Sequence, residues 1–66
     1  MKFKVWVTFI TNNNDYFDNN GNGFSAEEVL QVAKEFKEKD DVKKVEIEET
    51  DSKTFYTINQ YEKLRG

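Results

Sequence analysis

The sequence predicts an α+β fold of one helix packed on one face of a three- or four-stranded, mainly antiparallel sheet, in the order β(β)αββ. Three observations carry this. The stretches "KFKVWVTFI" and "VKKVEIEE" alternate apolar and polar residues, which is the period of a strand with one buried face. Between them, "SAEEVLQVAKEF" repeats its apolar residues at helical spacing behind a capping residue. The chain has 66 residues, so 1–66 is read as one small domain. A domain this small buries only about 60% of the surface its unfolded chain exposes, and one helix laid on one sheet is the economical way to do so.

The first strand is read over 2–10. Phe3, Val5, Val7 and Phe9 share one face and Lys4, Trp6, Thr8 and Ile10 the other; the first set is wholly apolar and is placed on the core. Residues 11–23 are polar and rich in turn formers. Within them, 15–18 ("DYFD") either pairs back on the first strand through a turn at 12–14 or stays loop.

The helix start is the strongest local signal. Ser25 is a preferred N-cap and Glu28 stands three residues on, which makes a capping box. Phe24 before the cap and Val29 fit a hydrophobic staple. Glu27 and Glu28 suit the positive end of the helix dipole, and Lys34, Lys37 and Lys39 the negative end. Val29, Val32, Ala33 and Phe36 form the buried stripe with Leu30 at its edge, and the helix is expected to stop near 39–41.

A second strand pair follows. Over 42–49, Val45 and Ile47 point one way and Lys44, Glu46 and Glu48 the other; 50–53 is a turn; 54–60 is a last strand rich in aromatic and β-branched residues. Either Tyr56 and Ile58 or Phe55, Thr57 and Asn59 face the core, and the more apolar first set is chosen. If the strand at 42–49 lies beside the first strand through the helix, the two run parallel with a right-handed crossover.

Composition narrows the function. There is no cysteine, hence no disulfide or thiolate metal site, and no histidine, which removes the commonest general base and transition-metal ligand. An enzyme is therefore not expected, nor is a cofactor. Thirteen acidic residues against 10 basic ones leave a net charge of −3, the wrong sign for direct nucleic-acid binding. The longest apolar run, Val5-Trp6-Val7, is too short for a membrane span, and no secretory leader is recognisable, so a cytoplasmic protein is expected.

The stretch "DYFDNNGNGFSAEE" raises the question of calcium. With Asp18 in the first position of an EF-hand loop, Asn20, Asn22 and Gly23 fit the third, fifth and sixth, but the last position falls on Val29 rather than Glu28. Moving the frame to end on Glu27 puts Tyr16 first. Asp18, Asn20, Asn22 and Glu28 are the candidate ligands of a non-standard loop, and Glu28 is also claimed by the capping box. Gly21 and Gly23 lack the lysine and hydroxyl of a phosphate loop.

The outer face of the sheet is the other candidate site. Trp6, Thr8, Ile10, Phe55, Thr57, Tyr61, Glu46 and Glu48 are expected there, and Trp6, Ile10 and Phe55 have no obvious partner inside the domain. Exposed apolar patches mark interaction surfaces, and Trp and Tyr are favoured anchors. Aromatic pairs also stabilise small sheets with no partner at all. An acidic stripe imitating nucleic acid is disfavoured, because lysines interleave with the acids around 34–51.

In size, acidity and lone open face, with "MKFKVWVTFI" first and "TFYTINQY" last, the chain resembles small phage-encoded inhibitors of host machinery, the anti-CRISPR and anti-defence class. The likeness is one of style over the whole chain and assigns no residue a role. It implies a non-enzymatic module that occupies a functional surface of a larger protein or protein–nucleic-acid complex in the host cytoplasm. The alternatives are a calcium-responsive module built on 15–28, and a structural homodimer that buries the open face against its own copy.

Overall fold

Phe3, Val5 and Val7 are buried while Lys4, Trp6 and Thr8 are half-buried, so the alternation of the N-terminus resolves into a core face and an outer face. This strand is β1 (Phe3–Phe9). In the computed structural model, which describes residues 2–65, it is followed by β2 (Asn14–Phe17), α1 (Ala26–Lys37), β3 (Val42–Glu49), β4 (Thr54–Thr57) and α2 (Ile58–Arg65). The four strands form one sheet in the order β2-β1-β3-β4, antiparallel at every step.

The short strand at 15–18 exists, one residue earlier than read. Asn12, at φ 70°, turns the chain, and Phe9 N–H bonds to the Asn13 carbonyl at 2.9 Å. Asparagine tolerates this left-handed backbone better than most residues. The existence of β2 overturns the parallel arrangement considered for the first strand and 42–49. The hairpin reverses the chain before α1, and α1 returns it, so β3 enters in the direction of β2 and lies antiparallel to β1.

The core lies between the sheet and α1. Val5, Val7, Val29, Ala33 and Ile47 are fully buried, joined by Phe3, Val42 and Val45. The stripe on α1 follows the sequence reading, with Leu30, Val32 and Phe36 partly buried at the margins. Phe36 stacks on Phe17 of β2 at 4.6 Å between centroids, which ties the end of the helix to the edge strand. The helix stops short of 39–41. Lys39 N–H already bonds to the Phe36 carbonyl at 3.1 Å, a tightened last turn that lets Val42 enter the sheet.

The last strand differs most from the reading. It ends at Thr57, and 58–65 is a second helix, so the sheet carries two helices on its core face rather than one. Tyr56 faces the core as chosen and Ile58 packs against it, the latter from the helix. Tyr61, expected on the outer face, is buried at 4% exposure. Its ring meets Phe3 edge-on at 5.5 Å and Tyr56 at 6.1 Å, and its hydroxyl donates to the Ala26 carbonyl at 2.9 Å. Helical turn geometry, not strand alternation, sets its direction. α2 is thereby locked onto the first turn of α1, with exposed ion pairs Lys34–Glu62 at 2.8 Å and Arg65–Glu27 at 3.9 Å alongside.

Candidate functional site: the outer face of the sheet

Both helices cover one face of the sheet, and the residues of the other face follow from register. Trp6 on the central strand β1 pairs with Tyr16 on β2 and Glu46 on β3; Glu46 in turn pairs with Thr57 on β4. The next row runs Lys4, Glu48, Phe55, and on the other side Asn14, Thr8, Lys44. Alternation places all of these side chains away from the core.

Trp6 is the hub. Its ring lies 5.1 Å from Tyr16 and 6.1 Å from Phe55, both tilted. Its indole N–H donates to Glu48 Oε1 at 2.8 Å. Tyr16 and Phe55 are 47% and 46% exposed, so the row presents aromatic surface without being sealed. Offset and tilted aromatic pairs of this kind favour a fixed arrangement, and the charge-assisted bond to Glu48 pins the indole plane. A depression of about 250 Å3 lies between Trp6, Thr8, Asn14, Lys44, Glu46 and Phe55. It is smaller than most small-molecule sites.

The polar groups divide unevenly. Thr8 hydroxyl donates to Asn14 Oδ1 at 2.9 Å. Lys44 lies 3.7 Å from Glu46, the lysine side chain exposed and the glutamate half-buried, a pair worth little at a solvated surface. Lys4 sets its ammonium over the Tyr16 ring, 5.1 Å from the centroid. Glu48, at 8% exposure, is the buried charged residue among those described, and none of the ion pairs among the described residues includes it.

Of the eight residues expected here, Trp6, Thr8, Glu46, Glu48, Phe55 and Thr57 share the face. Ile10 does not join them. It lies beyond the end of β1, after a register shift between Thr8 and Phe9, 62% exposed with its N–H on the Asp41 carbonyl at 2.9 Å. Tyr61 is in the core, as described above. Tyr16 is the member that sequence reasoning missed: the alternation within "DYFD" opposes Tyr16 to Phe17, and assigning β2 would have placed it beside Trp6.

The 18–23 segment is held by its own hydrogen bonds. Asp18 carboxylate accepts the Gly21 N–H at 3.1 Å, and Asp18 carbonyl accepts the Gly23 N–H at 2.7 Å. Asn19 and Asn20 take left-handed backbone at φ 58° and 56°, as do Gly21 and Gly23 at 88° and 79°. Glu28 carboxylate accepts the Ser25 N–H at 3.1 Å and is held below its usual range by that bond first and the Ser25 hydroxyl second. Two of the four candidate ligands are thus committed to backbone donors. Among the described residues no three acidic side chains converge on a common point. The Asn-Gly run is a self-bonded turn that delivers Phe24 to Phe3, where the two backbones exchange bonds of 3.0 Å.

Among the described residues no helix is long and apolar enough to cross a membrane. No family model matches the chain, and no curated protein or solved structure shows significant similarity to it.

Proposed function

We propose that this protein is a small, non-enzymatic protein-binding module that lays the Trp6 face of its sheet on a functional surface of a larger protein and inhibits it by occupancy. The observation that supports this reading is the placement of Trp6. It stands at the centre of the helix-free face, fixed by Glu48 and flanked by half-exposed Tyr16 and Phe55. Nothing in the core on the opposite face requires these rings. Binding energy concentrates in central Trp and Tyr anchors, and an anchor already held in one rotamer loses less entropy on binding. The inhibitory, phage-like character belongs to this proposal through the chain's size and style, and is tested by whether the bound protein loses activity.

The test compares immobilised wild type with Trp6→Asp in capture from a bacterial lysate, followed by identification of the protein retained and assay of its activity. Fold is checked by circular dichroism. The reading expects one protein to be retained by wild type, to lose activity, and to be lost from the variant. Equal retention by a folded Trp6→Asp variant sinks it. With the purified target, truncation of Trp6 to alanine should cost about 2 kcal/mol or more, roughly 30-fold in Kd. The competing arrangement is a symmetric dimer through the same face. Light scattering separates the two, since a monomer across micromolar concentrations leaves the face free.

A further inference from the structure

Glu48 has a consequence for the chemistry of whatever covers this face. In the free protein its carboxylate takes the Trp6 indole N–H at 2.8 Å, and the residue is 8% exposed. The two cations of the face are engaged elsewhere. Lys4, directly opposite Glu48 in register, sits over Tyr16, and Lys44 stands beside Glu46. A partner covering Trp6 and Phe55 removes the last water from Glu48. A carboxylate sealed with one neutral donor is unfavourable unless a cation or further donors replace the water. The partner therefore has to bring them.

The neighbours select which cation. Phe55 is the register partner of Glu48, and its ring lies 6.1 Å from that of Trp6, whose indole N–H holds the carboxylate, so aromatic surface borders Glu48. A guanidinium is planar, weakly hydrated, stacks on aromatic faces and offers paired donors to a carboxylate. An ammonium is a strongly hydrated point charge that matches neither the rings nor the fork. Glu46, beside Trp6 in register and lining the same depression, supplies a second acceptor.

Resting on the protein-binding reading above, we infer that the occupant of this face is a protein segment carrying an arginine, whose guanidinium stacks on Trp6 or Phe55 and donates to Glu48, with Glu46 as the outer acceptor. The overall charge of −3 favours approach of such a basic segment.

The chain has one tryptophan, so one indole N–H resonance reports the site. The 15N-labelled protein is titrated with a blocked Ala-Arg-Ala-Arg-Ala peptide, with the lysine and glutamate versions, and with a short oligothymidine. The expected result is a saturable shift of the indole signal with the arginine peptide, severalfold weaker binding of the lysine peptide, and no response to the other two. Glu48→Gln should weaken the arginine peptide about tenfold, the worth of a charge-assisted bond. Lys4→Met, which removes a like charge beside the arriving guanidinium, should tighten it severalfold, and it gives a readout even where Glu48→Gln does not fold. Equal binding of the lysine or glutamate peptide overturns the inference, as does a shift by oligothymidine alone. So does no shift with any probe, or an affinity untouched by both variants. If the peptide is inert while Trp6→Asp still abolishes capture of a protein, the arginine falls and the protein-binding reading stands. If Trp6→Asp leaves capture unchanged, the protein-binding reading itself falls.

Discussion

α1 and α2 begin with the same device set in different surroundings. At α1, Ser25 Oγ accepts the Glu28 N–H at 3.2 Å and Glu28 returns the bond to Ser25 N–H at 3.1 Å. At α2, Thr57 Oγ1 accepts the Gln60 N–H at 3.1 Å and Gln60 returns the bond to Thr57 N–H at 3.0 Å. The residue before each cap and the fourth helical residue, Phe24 with Val29 and Tyr56 with Tyr61, hold the positions of a hydrophobic staple; the two tyrosine rings lie 6.1 Å apart, and Phe24 packs against the core. The difference is what comes before. α1 leaves a glycine-rich turn, whereas α2 leaves the edge strand β4 with no intervening residue. One start is therefore set by the turn that precedes it and the other by direct continuation from a strand, while the fourth residue of each helix, Val29 or Tyr61, is buried.

The sharpest way to break the comparison is at the staples. Tyr61→Ala removes a buried ring between Phe3 and Tyr56 and the bond to Ala26 carbonyl, so it should cost about 3–5 kcal/mol. Val29→Ala at the matching position of α1 should cost about 2 kcal/mol. Chemical denaturation of both variants checks the ranking. If Tyr61→Ala proves the milder change, α2 is an appendage rather than part of the core.

Next comes the turn, which has no counterpart at α2. A Cβ at Gly23 would stand 2.7 Å from Lys2 Cβ at a φ of 79°, whereas one at Gly21, φ 88°, meets nothing within 4 Å. Gly23→Ala combines backbone strain and collision and should cost about 2–3 kcal/mol, against about 1 kcal/mol for Gly21→Ala. Thermal melting of the pair separates strain from crowding, and equal losses would mean that Lys2 moves aside freely.

The caps themselves should weigh alike. Ser25→Ala and Thr57→Ala should each cost about 1 kcal/mol. Their consequences should differ in hydrogen exchange. Loss of the Thr57 cap should expose the amides of α2 most, because a short helix leaving an edge strand can open locally. Loss of the Ser25 cap should lower protection across the core with global stability. Uniform loss in both variants would show α2 to be cooperative with the sheet.

The legibility of the two starts follows the same physics. In "FSAEEV" the box stands after turn formers and before a helical stripe, so no other period competes. In "YTINQY" the same Thr-x-x-Gln box and paired tyrosines are present, but "TFYTI" carries strong strand propensity and masks them. Tertiary packing of Tyr61 under Phe3 decides what propensity could not. The candidate site shows the same division. Trp6, Glu46, Glu48 and Phe55 were legible because their strands alternate cleanly. Tyr16 was hidden in a four-residue strand whose existence depends on Asn12 turning the chain, and Ile10 was misassigned because the strand's register breaks before it.

The smallest effect separates the two starts by pH. Glu28 titrates and Gln60 does not. The Ser25 N–H, then its hydroxyl, holds the Glu28 carboxyl below its ordinary value of 4.5, so the fold favours the carboxylate. That contribution is fully present above the unfolded pKa and is lost as pH falls through the folded one. At α2 the titrating group is Tyr61. Burial, only partly offset by Arg65, raises its hydroxyl above 10.0, so the fold favours the neutral phenol. That contribution is present below the unfolded pKa and is lost as pH rises through the folded one. The two are isolated by difference. The midpoint gap between wild type and Glu28→Gln should close as pH drops from neutral to about 2, and the gap between wild type and Tyr61→Phe should change only above about pH 10. An acid-dependent gap for Tyr61→Phe, or a pH-independent one for Glu28→Gln, would mean that the caps and not their surroundings carry the same chemistry after all.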